Sequence, residues 1–553
     1  MIKFKGLNDN FHFLVLEIKN QISHTYAFLN SPDPELQDKI ISKDDHIDNL
    51  KNIVENDCFA RIVSESGTTQ QELNTIRAMQ TIAVNLERIA DFCVNIVRQV
   101  HYLSSYNFLH NFDYAEMIVD ISNAIELLIP ALKEKDLSKA LDLCRTENNL
   151  DQMYQVQFEQ IMEELKDERN TPGNLITILF ISRYFERIGD SLLNIGEAII
   201  FSIIGEKIKI NQFQALQKTL YNSGFNASVS DFDFSMIWGT RSGCRIGRVE
   251  NKADLKEKFQ NSIFKEGQLK KIAREKENLD TWESIFPALV PKVFGFEQDP
   301  AQDKASLLLE LIPGCTLEET ILATDRETLE NAVFVFQETL MEIWKTTQKK
   351  EAVQTDFTRQ LLDRQESVFQ IHPFFKDQSK HINSCPIPSF QELVQGAARK
   401  EEEAPPAPFQ VFIHGDLNVN NIVYSHTEQK IHFIDLHRSR YYDYVQDISV
   451  FLISNFRLPV FDPKIRARIK RTMLSLLNCS RGFAAQENDW SFEFRLALAV
   501  ARSLFTSTRF ELNNEFSREM FLRSRYLLQK VLSVATQDIL DFRFPEEVLF
   551  YKT

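Results

Sequence analysis

The sequence is poor in glycine and cysteine and has no long apolar segment. Glycine accounts for 16 of 553 residues, about 3% against a usual value near 7%, which favours helices over tight turns. The seven cysteines are dispersed, odd in number and never spaced as CxxC, which is typical of reduced thiols and gives no zinc site. No apolar run approaches the ~20 residues of a membrane span, and the N-terminus lacks a signal-peptide cleavage site. We therefore expect a cytoplasmic protein without a transmembrane segment.

Basic residues are scarce, above all in the first part of the chain. The 63 Lys and Arg residues against 78 Asp and Glu give a net charge of −15, which does not favour a nucleic-acid partner because such a protein needs a basic face. Residues 1–210 hold 20 basic and 32 acidic residues, so they carry −12 of this charge. An acidic region attracts cations or basic partners, although a well-solvated helical surface explains it equally well.

Residues 1–210 predict an all-α domain, because apolar residues recur at helical spacing and chain breakers are few. The expected helices lie at about 7–30, 34–63, 69–103, 111–134, 136–168 and 171–208.

This helical segment contains an internal duplication. Residues 83–96 match residues 182–195 at an offset of 99. Residues 44–53 match residues 147–156 at an offset of 103. Two matches at nearly one offset predict a unit of three helices that is used twice.

Each repeat contains a pair of carboxylates four positions apart. The pairs are Glu87 with Asp91, and Glu186 with Asp190. This spacing places both carboxylates of a pair on one helix face, where like charges repel by a few tenths of a kcal/mol. A hard cation bound by oxygen ligands would compensate for this repulsion. The alternative is neutralisation by Arg88 and Arg187 or by other neighbouring basic residues.

Residues 5–208 resemble the PhoU family of cytosolic helical regulators of phosphate uptake. The resemblance implies two three-helix repeats in which these four carboxylates bind metal, with Asp48 and Asp151 on the preceding helices as additional ligands. It also implies a phosphate transporter or a sensor protein as partner. The resemblance does not determine whether the metal is iron, zinc, manganese or magnesium. A set of carboxylate ligands alone favours the harder ions.

From about residue 213 the pattern changes to alternating apolar residues around glycines. Residues 225–252 predict a twisted β-hairpin whose tip contains Ser242 and Gly243, which are candidate phosphate contacts. The glycine spacing matches neither the common dinucleotide pattern nor the kinase pattern, so the tip alone is a weak indication.

A strand with Lys265 and a helix with Glu275 follow this hairpin. A kinase-like fold uses such a pair to hold nucleotide phosphates, because the glutamate orients the ammonium that contacts them. Taken alone, Lys265 is better explained as a solvated strand end. Glu310 and Ile312, at the end of a later apolar strand, would form the hinge along the adenine, and a core strand ending in a turn is the compatible alternative.

The most specific pattern lies in residues 409–424 and 430–440. An apolar run leads to His414-Gly415-Asp416, Asn421 follows five residues later, and a second strand brings in Asp435. Phosphoryl transfer requires positioning and charge neutralisation. Asp416 can accept the proton of an attacking hydroxyl, while Asn421 and Asp435 supply oxygen ligands for Mg²⁺. Each of these residues alone would be read as a cap or an Asx-turn.

Residues 235–510 resemble the aminoglycoside phosphotransferase family of small-molecule kinases, most closely at 409–450. The resemblance implies an α+β, two-lobed, protein-kinase-like fold that uses ATP and Mg²⁺ on a small-molecule hydroxyl. It makes Asp416 the catalytic base and Asp447 a structural residue, and it assigns His414 to support of the loop. Leu436 departs from the aromatic residue that usually follows the metal-binding aspartate.

The expected organisation is a helical domain at 1–210, an N-lobe at 213–313 and a helical C-lobe at 314–553 with the catalytic loop at 412–421. We expect residues 399–408 to form an extended, disordered linker, and residues after about 443 to form four helices. The rival function is a regulatory adaptor whose kinase-like domain binds nucleotide or a partner without turnover. A protein kinase is disfavoured because HRD, DFG and APE patterns are absent. The sequence does not determine the identity of the acceptor or whether the chain forms a homo-oligomer.

Overall fold

The structure is a computed structural model that describes residues 5–64, 69–167, 171–206, 209–222, 232–236, 245–251, 261–383 and 385–551. The chain divides into two compact units, Met1–Glu266 and Gly267–Thr553. Within the described ranges, no helix combines the length and apolar character that a membrane crossing requires.

The first unit begins with six long helices, three in each repeat. They are α1 (Lys5–Asn30), α2 (Pro34–Ser64), α3 (Gln70–Val100), α4 (Ala115–Glu134), α5 (Leu137–Glu164) and α6 (Pro172–Ile204). The predicted all-α domain and its helices are therefore confirmed, with ends that differ by a few residues.

Local sequence explains where these helices begin and how closely they pack. Thr69 and Glu72 form a capping box at the start of α3, which satisfies backbone donors that the helix itself leaves unpaired. Gly196 lets α6 approach α5, because a Cβ at this position would lie 2.4 Å from Sγ of Cys144. Asn194 on α6 donates a hydrogen bond of 3.3 Å to Asn85 on α3. This bond links the third helices of the two repeats.

A seventh helix, α7 (Ile210–Asn222), follows the repeats. The change of pattern that we predicted at residue 213 is therefore wrong for this segment. Phe213, Leu216 and Leu220 are buried, and their spacing of three and four residues is that of an apolar helix face.

Three antiparallel strands end the first unit. Strand β1 (Phe232–Met236) pairs with β2 (Arg245–Asn251), which confirms the strands of the predicted hairpin. Strand β3 (Ser262–Gln268) begins in this unit and pairs with β2, with Ile246 opposite Lys265. Lys265 therefore lies at the centre of a strand and not at its end.

The second unit contains nine helices and nine strands in its described part, counted from α8 and β4. The helices are α8 (Leu269–Ile285), α9 (Leu317–Ala323), α10 (Arg326–Thr347), α11 (Phe357–Ile371), α12 (Phe390–Glu403), α13 (Val445–Phe456), α14 (Pro463–Gln486), α15 (Phe492–Ser507) and α16 (Asn514–Leu532). The strands are β4 (Val293–Asp299), β5 (Lys304–Glu310), β6 (Cys315–Thr316), β7 (Lys380–Ile382), β8 (Cys385–Ile387), β9 (Val411–Ile413), β10 (Ile422–Ser425), β11 (Lys430–Phe433) and β12 (Arg440–Tyr442). Helices α13 to α16 confirm the four helices predicted after residue 443.

Short antiparallel sheets organise the strands of this unit around its helical core. Strands β4 and β5 pair with each other, β10 lies between β6 and β11, and β12 pairs with β9. Trp344, Tyr444 and Phe483 pack together at centroid distances of 5.1 to 5.4 Å and form an aromatic part of the core. The second unit is therefore α+β.

The predicted linker at residues 399–408 is ordered, so that prediction is wrong. Helix α12 extends to Glu403, and the side chain of Glu401 is buried. Glu401 accepts hydrogen bonds from the backbone N–H groups of Phe357 and Thr358 and from the hydroxyls of Thr355 and Thr358. The charged run thus provides the cap for the start of α11, a role that composition alone does not reveal.

Candidate functional site

A tight turn after β9 carries His414, Gly415 and Asp416. Gly415 has a φ of +83°, and a Cβ there would lie 2.2 Å from the carbonyl oxygen of Arg438. Only glycine fits both the conformation and the close approach. The turn is held from α13, because Asp447 accepts the backbone N–H groups of His414 at 2.7 Å and Gly415 at 2.8 Å.

The imidazole of His414 supports this turn from inside. Its Nδ1 accepts the backbone N–H of Asp416 at 3.3 Å, so Nε2 carries the hydrogen and donates to the carbonyl oxygen of Ile434 at 3.1 Å. Burial lowers the pKa of His414 to about 4. Burial also raises the pKa of Asp447 to about 7, although the two N–H groups that it accepts act in the opposite direction. His414 is therefore neutral at physiological pH and links two backbone segments.

The backbone brings Asp416, Asn421 and Asp435 together. Nδ2 of Asn421 donates to the carbonyl oxygen of Asp416 at 2.9 Å. The carbonyl oxygen of Asn421 accepts the N–H of Ile434, the neighbour of Asp435, at 3.0 Å. Asp435 itself has a φ of +63°, a conformation that costs a non-glycine residue about 1–3 kcal/mol and is common at functional sites. The arrangement places one carboxylate on the loop and an amide and a carboxylate beside it.

Helix α8 adds a buried carboxylate to this arrangement. Oxygen or nitrogen ligand atoms of Glu275, Asp435 and His437 all lie within 4.8 Å of one another. The helix is held in place by a bond of 2.7 Å from Asn278 Nδ2 to the carbonyl oxygen of Leu436. Trp282 Nε1 donates in turn to Ser439 Oγ at 2.9 Å.

The oxygen-rich donor set of this group fits a hard cation such as Mg²⁺. Asp435 and Asn421 offer a carboxylate and an amide oxygen, while His437 Nδ1 lies 3.1 Å from Oδ1 of Asp435. Sequence analysis missed His437. The signal that could have revealed it is the unusual Leu-His-Arg sequence after Asp435.

The other residues that we predicted to contact the nucleotide lie in different parts of the chain. Lys265 is buried in β3 and belongs to the first unit, whereas Glu275 belongs to the second. The pairing of these two residues therefore stays a prediction. Ser242 and Gly243 lie outside the described residues.

The predicted hinge follows β5. Glu310 ends this strand, its N–H donates to the carbonyl oxygen of Lys292 at 2.9 Å, and its Oε2 accepts the N–H of Lys292 at 3.2 Å. Ile312 is half-buried two residues further on. Gly314 has a φ of +146°, and a Cβ there would lie 2.4 Å from the carbonyl oxygen of Tyr424. The chain thus passes closely against β10 just after Glu310 and Ile312.

Asp416 has a charged neighbour that the sequence analysis did not anticipate. Its Oδ2 lies 3.0 Å from Nη1 of Arg438, and its Oδ1 accepts a hydrogen bond of 2.6 Å from Asn418. Both oxygens of the predicted catalytic base are therefore engaged.

The first repeat gathers four carboxylates at one place on α2 and α3. Glu87 and Asp91 are joined by Asp44 and Asp48 from α2. Burial, with the charges of Glu87 and Asp44, raises the pKa of Asp91 to about 6. Lys51 lies 2.7 Å from Asp48 Oδ1 and 3.8 Å from Glu87 Oε1.

The second repeat shows the same arrangement on α5 and α6. Burial and the charges of Asp151, Asp190 and Glu186 raise the pKa of Glu147. Arg183 lies 2.7 Å from Oε1 of Glu186. Oε2 of Glu186 is buried and has no hydrogen-bond partner among the described residues.

Sequence analysis missed Asp44 and Glu147, although the offset of 103 that aligns the two repeats also relates these two residues. Neighbouring basic residues, Lys51 and Arg183, form the ion pairs with the predicted carboxylates. In the described ranges, no three of the carboxylates in this helical unit have ligand atoms within 4.8 Å of one another. The oxygen donors and the unpartnered Glu186 oxygen fit a cation, in competition with these basic side chains.

Two family models match the chain. A PhoU domain matches residues 15–100 and again residues 114–199. The two matches differ by 99 residues, which confirms the duplication. The ecdysteroid kinase-like family matches residues 322–470, which include the turn with Asp416 and the residues Asn421 and Asp435.

Individual proteins are similar to each part. The phosphate-specific transport system accessory protein PhoU homolog of Borreliella burgdorferi is 31% identical over 198 residues, which is 34% of this chain and 87% of the relative. The homolog of Clostridium acetobutylicum is 26% identical over 197 residues, which is 35% of this chain and 89% of the relative. The crystal structure of aminoglycoside phosphotransferase APH(4)-Ia superimposes with a TM-score of 0.37 at 12% identity and covers 55% of this chain and 96% of that structure.

Proposed function

Since this chain belongs to the PhoU family through its N-terminal repeats and continues into a kinase-like domain, we propose that it is an ATP- and Mg²⁺-dependent phosphotransferase in the cytoplasm. The acceptor in this proposal is a small-molecule hydroxyl. The observation that carries the proposal is the backbone arrangement that places Asp416, Asn421 and Asp435 side by side.

The proposed chemistry assigns one role to each residue. Asp416 orients the acceptor hydroxyl and takes its proton as the acceptor oxygen bonds to the γ-phosphorus of ATP. The bond from that phosphorus to the β,γ-bridging oxygen breaks in the same step, and ADP leaves. Asn421 and Asp435 would hold Mg²⁺, which neutralises phosphate charge when it is bound. The contacts with the nucleotide are assigned to Lys265, Glu275, Glu310, Ile312, Ser242 and Gly243. Asp447 and His414 fix the position of Asp416 and do not touch the reacting atoms.

Calorimetric titration of ATP into the full-length chain, with and without Mg²⁺, tests the nucleotide site. We expect binding that requires Mg²⁺ and that weakens at least tenfold in Asp435→Ala, because this substitution removes a charged metal ligand. Asp538→Ala is the matched control, since Asp538 is exposed on a short helical turn far along the sequence from the loop. A folded protein that binds no ATP with or without Mg²⁺ would overturn the kinase proposal.

A second candidate, binding of nucleotide without turnover, is favoured by one observation. Arg438 and Asn418 engage both oxygens of Asp416, so each oxygen has only its second lone pair left for an acceptor hydroxyl, and the ion pair with Arg438 makes the carboxylate a weaker base. Asp416→Asn separates the two candidates. An enzyme should lose most of its rate and keep its nucleotide affinity, whereas a pure binding protein shows no acceptor-dependent turnover before or after the substitution.

We further propose that metal bound by the helical repeats regulates the kinase-like domain in response to phosphate status. The support is the fusion of the two parts in one chain and the two carboxylate clusters, one in each repeat. A phosphate transporter or sensor protein is the proposed partner, by analogy with the names of the PhoU relatives. Glu87→Ala combined with Glu186→Ala should change the kinetics or the nucleotide affinity. Unchanged values for both would overturn this regulatory proposal.

A further inference from the structure

Several arginines from different elements of the second unit act through their charges on one another, and some of them also act on the predicted catalytic base. Arg438 lies three residues after Asp435, Arg502 lies on α15, Arg509 lies in the short turn after α15, Arg364 lies on α11 and Arg457 directly follows α13. Of these, Arg438 contacts Asp416 directly at 3.0 Å.

Arg502 and Arg509 lie close enough to Asp416 and Arg438 for these charges to act on both of them. Burial lowers the pKa of Arg502 to about 10, an effect that Arg438 strengthens and that Asp416 opposes. Burial, followed by the charges of Arg364 and Arg438, lowers the pKa of Arg509 to about 10. Both guanidinium groups remain charged at neutral pH, so the repulsion that each of them experiences from Arg438 is part of the native state.

These two arginines lack acidic partners among the described residues. Arg502 donates one long bond of 3.3 Å to Ser449 Oγ and stacks over the Phe357 ring. Arg509 stacks over the Phe510 ring with its guanidinium carbon 4.4 Å from the ring centre. Nε is buried in both residues and has no hydrogen-bond partner within the described ranges. Asp416 already pairs with Arg438, and the carboxylate of Asp356, whose charge acts on Arg502, accepts hydrogen bonds from the Tyr442 hydroxyl and from Gln360.

The ion pair with Asp416 compensates the charge of Arg438 but not the charges of Arg502 and Arg509. Arg495 in the same unit is paired with Asp443 and Asp489, whereas Arg502 and Arg509 have no such partner among the described residues. Several half-buried, mutually repelling guanidinium groups are stabilised when an anion binds between them, and their fork geometry matches phosphate and carboxylate oxygens.

We propose that the acceptor carries an anionic group, a phosphate ester or a carboxylate, which Arg502 and Arg509 bind while Asp416 faces the hydroxyl. This inference rests on the proposed phosphotransferase function, because it uses Asp416 to define where the acceptor lies. It excludes cationic acceptors such as amino alcohols, which these arginines would repel.

Calorimetry on the full-length chain tests the anion site without requiring turnover. Inorganic phosphate is titrated into protein saturated with Mg²⁺ and a non-hydrolysable ATP analogue, so that the nucleotide site is filled. We expect phosphate to bind, and to bind at least tenfold more weakly in Arg502→Gln and Arg509→Gln. Arg326→Gln is the matched control, because Arg326 forms only an exposed pair with Glu330 on α10.

A charge-conserving variant shows whether lost binding comes from the lost charge or from a loss of structure. Arg509→Lys should keep more affinity for phosphate than Arg509→Gln, because the positive charge is retained. Glycerol 3-phosphate, glycerate and glycerol are then compared as probes, and they separate a phosphate ester from a carboxylate as the bound group. Choline is the cationic probe and should not bind.

The outcomes distinguish this inference from the proposed function. If the nucleotide analogue binds but phosphate binds neither wild type nor variants, or binds all of them equally, the anionic acceptor is overturned and the kinase proposal stands. If the analogue does not bind but phosphate binds and is lost in Arg509→Gln, the anion site is supported and the kinase proposal fails.

Discussion

Asp447 on α13 accepts the backbone N–H of Gly415 through Oδ1 at 2.8 Å. Its other oxygen accepts the N–H of His414, so one buried carboxylate closes the turn that presents Asp416. A backbone donor that is buried without a partner costs about 1–3 kcal/mol. The position of the predicted catalytic base therefore depends on a residue that lies more than thirty positions later in the chain.

Asp447→Asn should weaken this turn, because an amide has one acceptor oxygen where the carboxylate has two. We expect the free energy of unfolding of the second unit to fall by about 1–3 kcal/mol. Urea unfolding followed by tryptophan fluorescence reports on this unit, since Trp282 and Trp344 are buried in it. Asp538→Asn, at an exposed site, should leave the midpoint unchanged. Equal midpoints for the two variants would contradict the proposed role of Asp447.

His414 should contribute stability that is lost in acid. Its pKa is about 4 in the fold and 6.5 ordinarily, so the unfolded chain takes up a proton first as the pH falls. The contribution is present above pH 6.5, is lost as the pH falls from 6.5 to 4, and amounts to at most about 3 kcal/mol. The stability difference between wild type and His414→Gln should therefore be larger at pH 7.5 than at pH 5. Urea titrations at the two pH values measure this stability difference. A difference that is larger at pH 5 than at pH 7.5 would rule out the proposed contribution of His414.

Asp447 should show the opposite pH dependence. Its pKa is raised from 3.8 to about 7, so its contribution is greatest below pH 3.8 and is lost as the pH rises through 7. The stability difference between wild type and Asp447→Asn should be larger at pH 5 than at pH 7.5. The same urea titrations measure this difference. A stability difference that is larger at pH 7.5 than at pH 5, as expected for His414→Gln, would contradict the assignment.

Glu401→Ala should destabilise the second unit strongly. The substitution leaves two backbone N–H groups at the start of α11 and two threonine hydroxyls without their buried acceptor. We expect a loss of about 2–4 kcal/mol in the free energy of unfolding. The adjacent Glu402 is exposed, so Glu402→Ala is a matched control that should shift stability by less than about 0.5 kcal/mol. Similar losses for the two variants would mean that the cap is not formed.

Metal should stabilise the helical repeats if the carboxylate clusters bind it. At a Mn²⁺ concentration one hundred times the Kd, binding adds about 2.7 kcal/mol to stability. We expect thermal unfolding of wild type to shift upward with Mn²⁺, and the shift to be lost in Glu87→Ala combined with Glu186→Ala. Glu159→Ala combined with Glu163→Ala removes an exposed pair of the same spacing on α5 and should keep the shift. A shift that survives in both double variants would place the metal elsewhere.

The sequence by itself determined the features that depend on short-range periodicity and fixed spacing. Apolar residues at helical spacing gave the six helices of the repeats within a few residues, and the offset of 99 gave the duplication that the family match confirms. The structure brings Asp416, Asn421 and Asp435 together, as their spacing in the chain predicts, and their catalytic roles stay a prediction. Helix α7 was missed because the change of pattern was placed at residue 213, inside this helix. The cap by Glu401 was missed because its partners lie more than forty residues earlier in the chain.

Only the tertiary structure decided which distant side chains meet. The ion pair of Arg438 with Asp416, the approach of Glu275 to Asp435 and His437, and the addition of Asp44 to the cluster of Glu87 and Asp91 all join different elements. The arginines whose charges act on Arg509 are Arg364 on α11, Arg438 after Asp435 and Arg457 directly after α13, and they share no motif. Charge and burial act through space, so the pKa shifts follow from packing and not from local sequence.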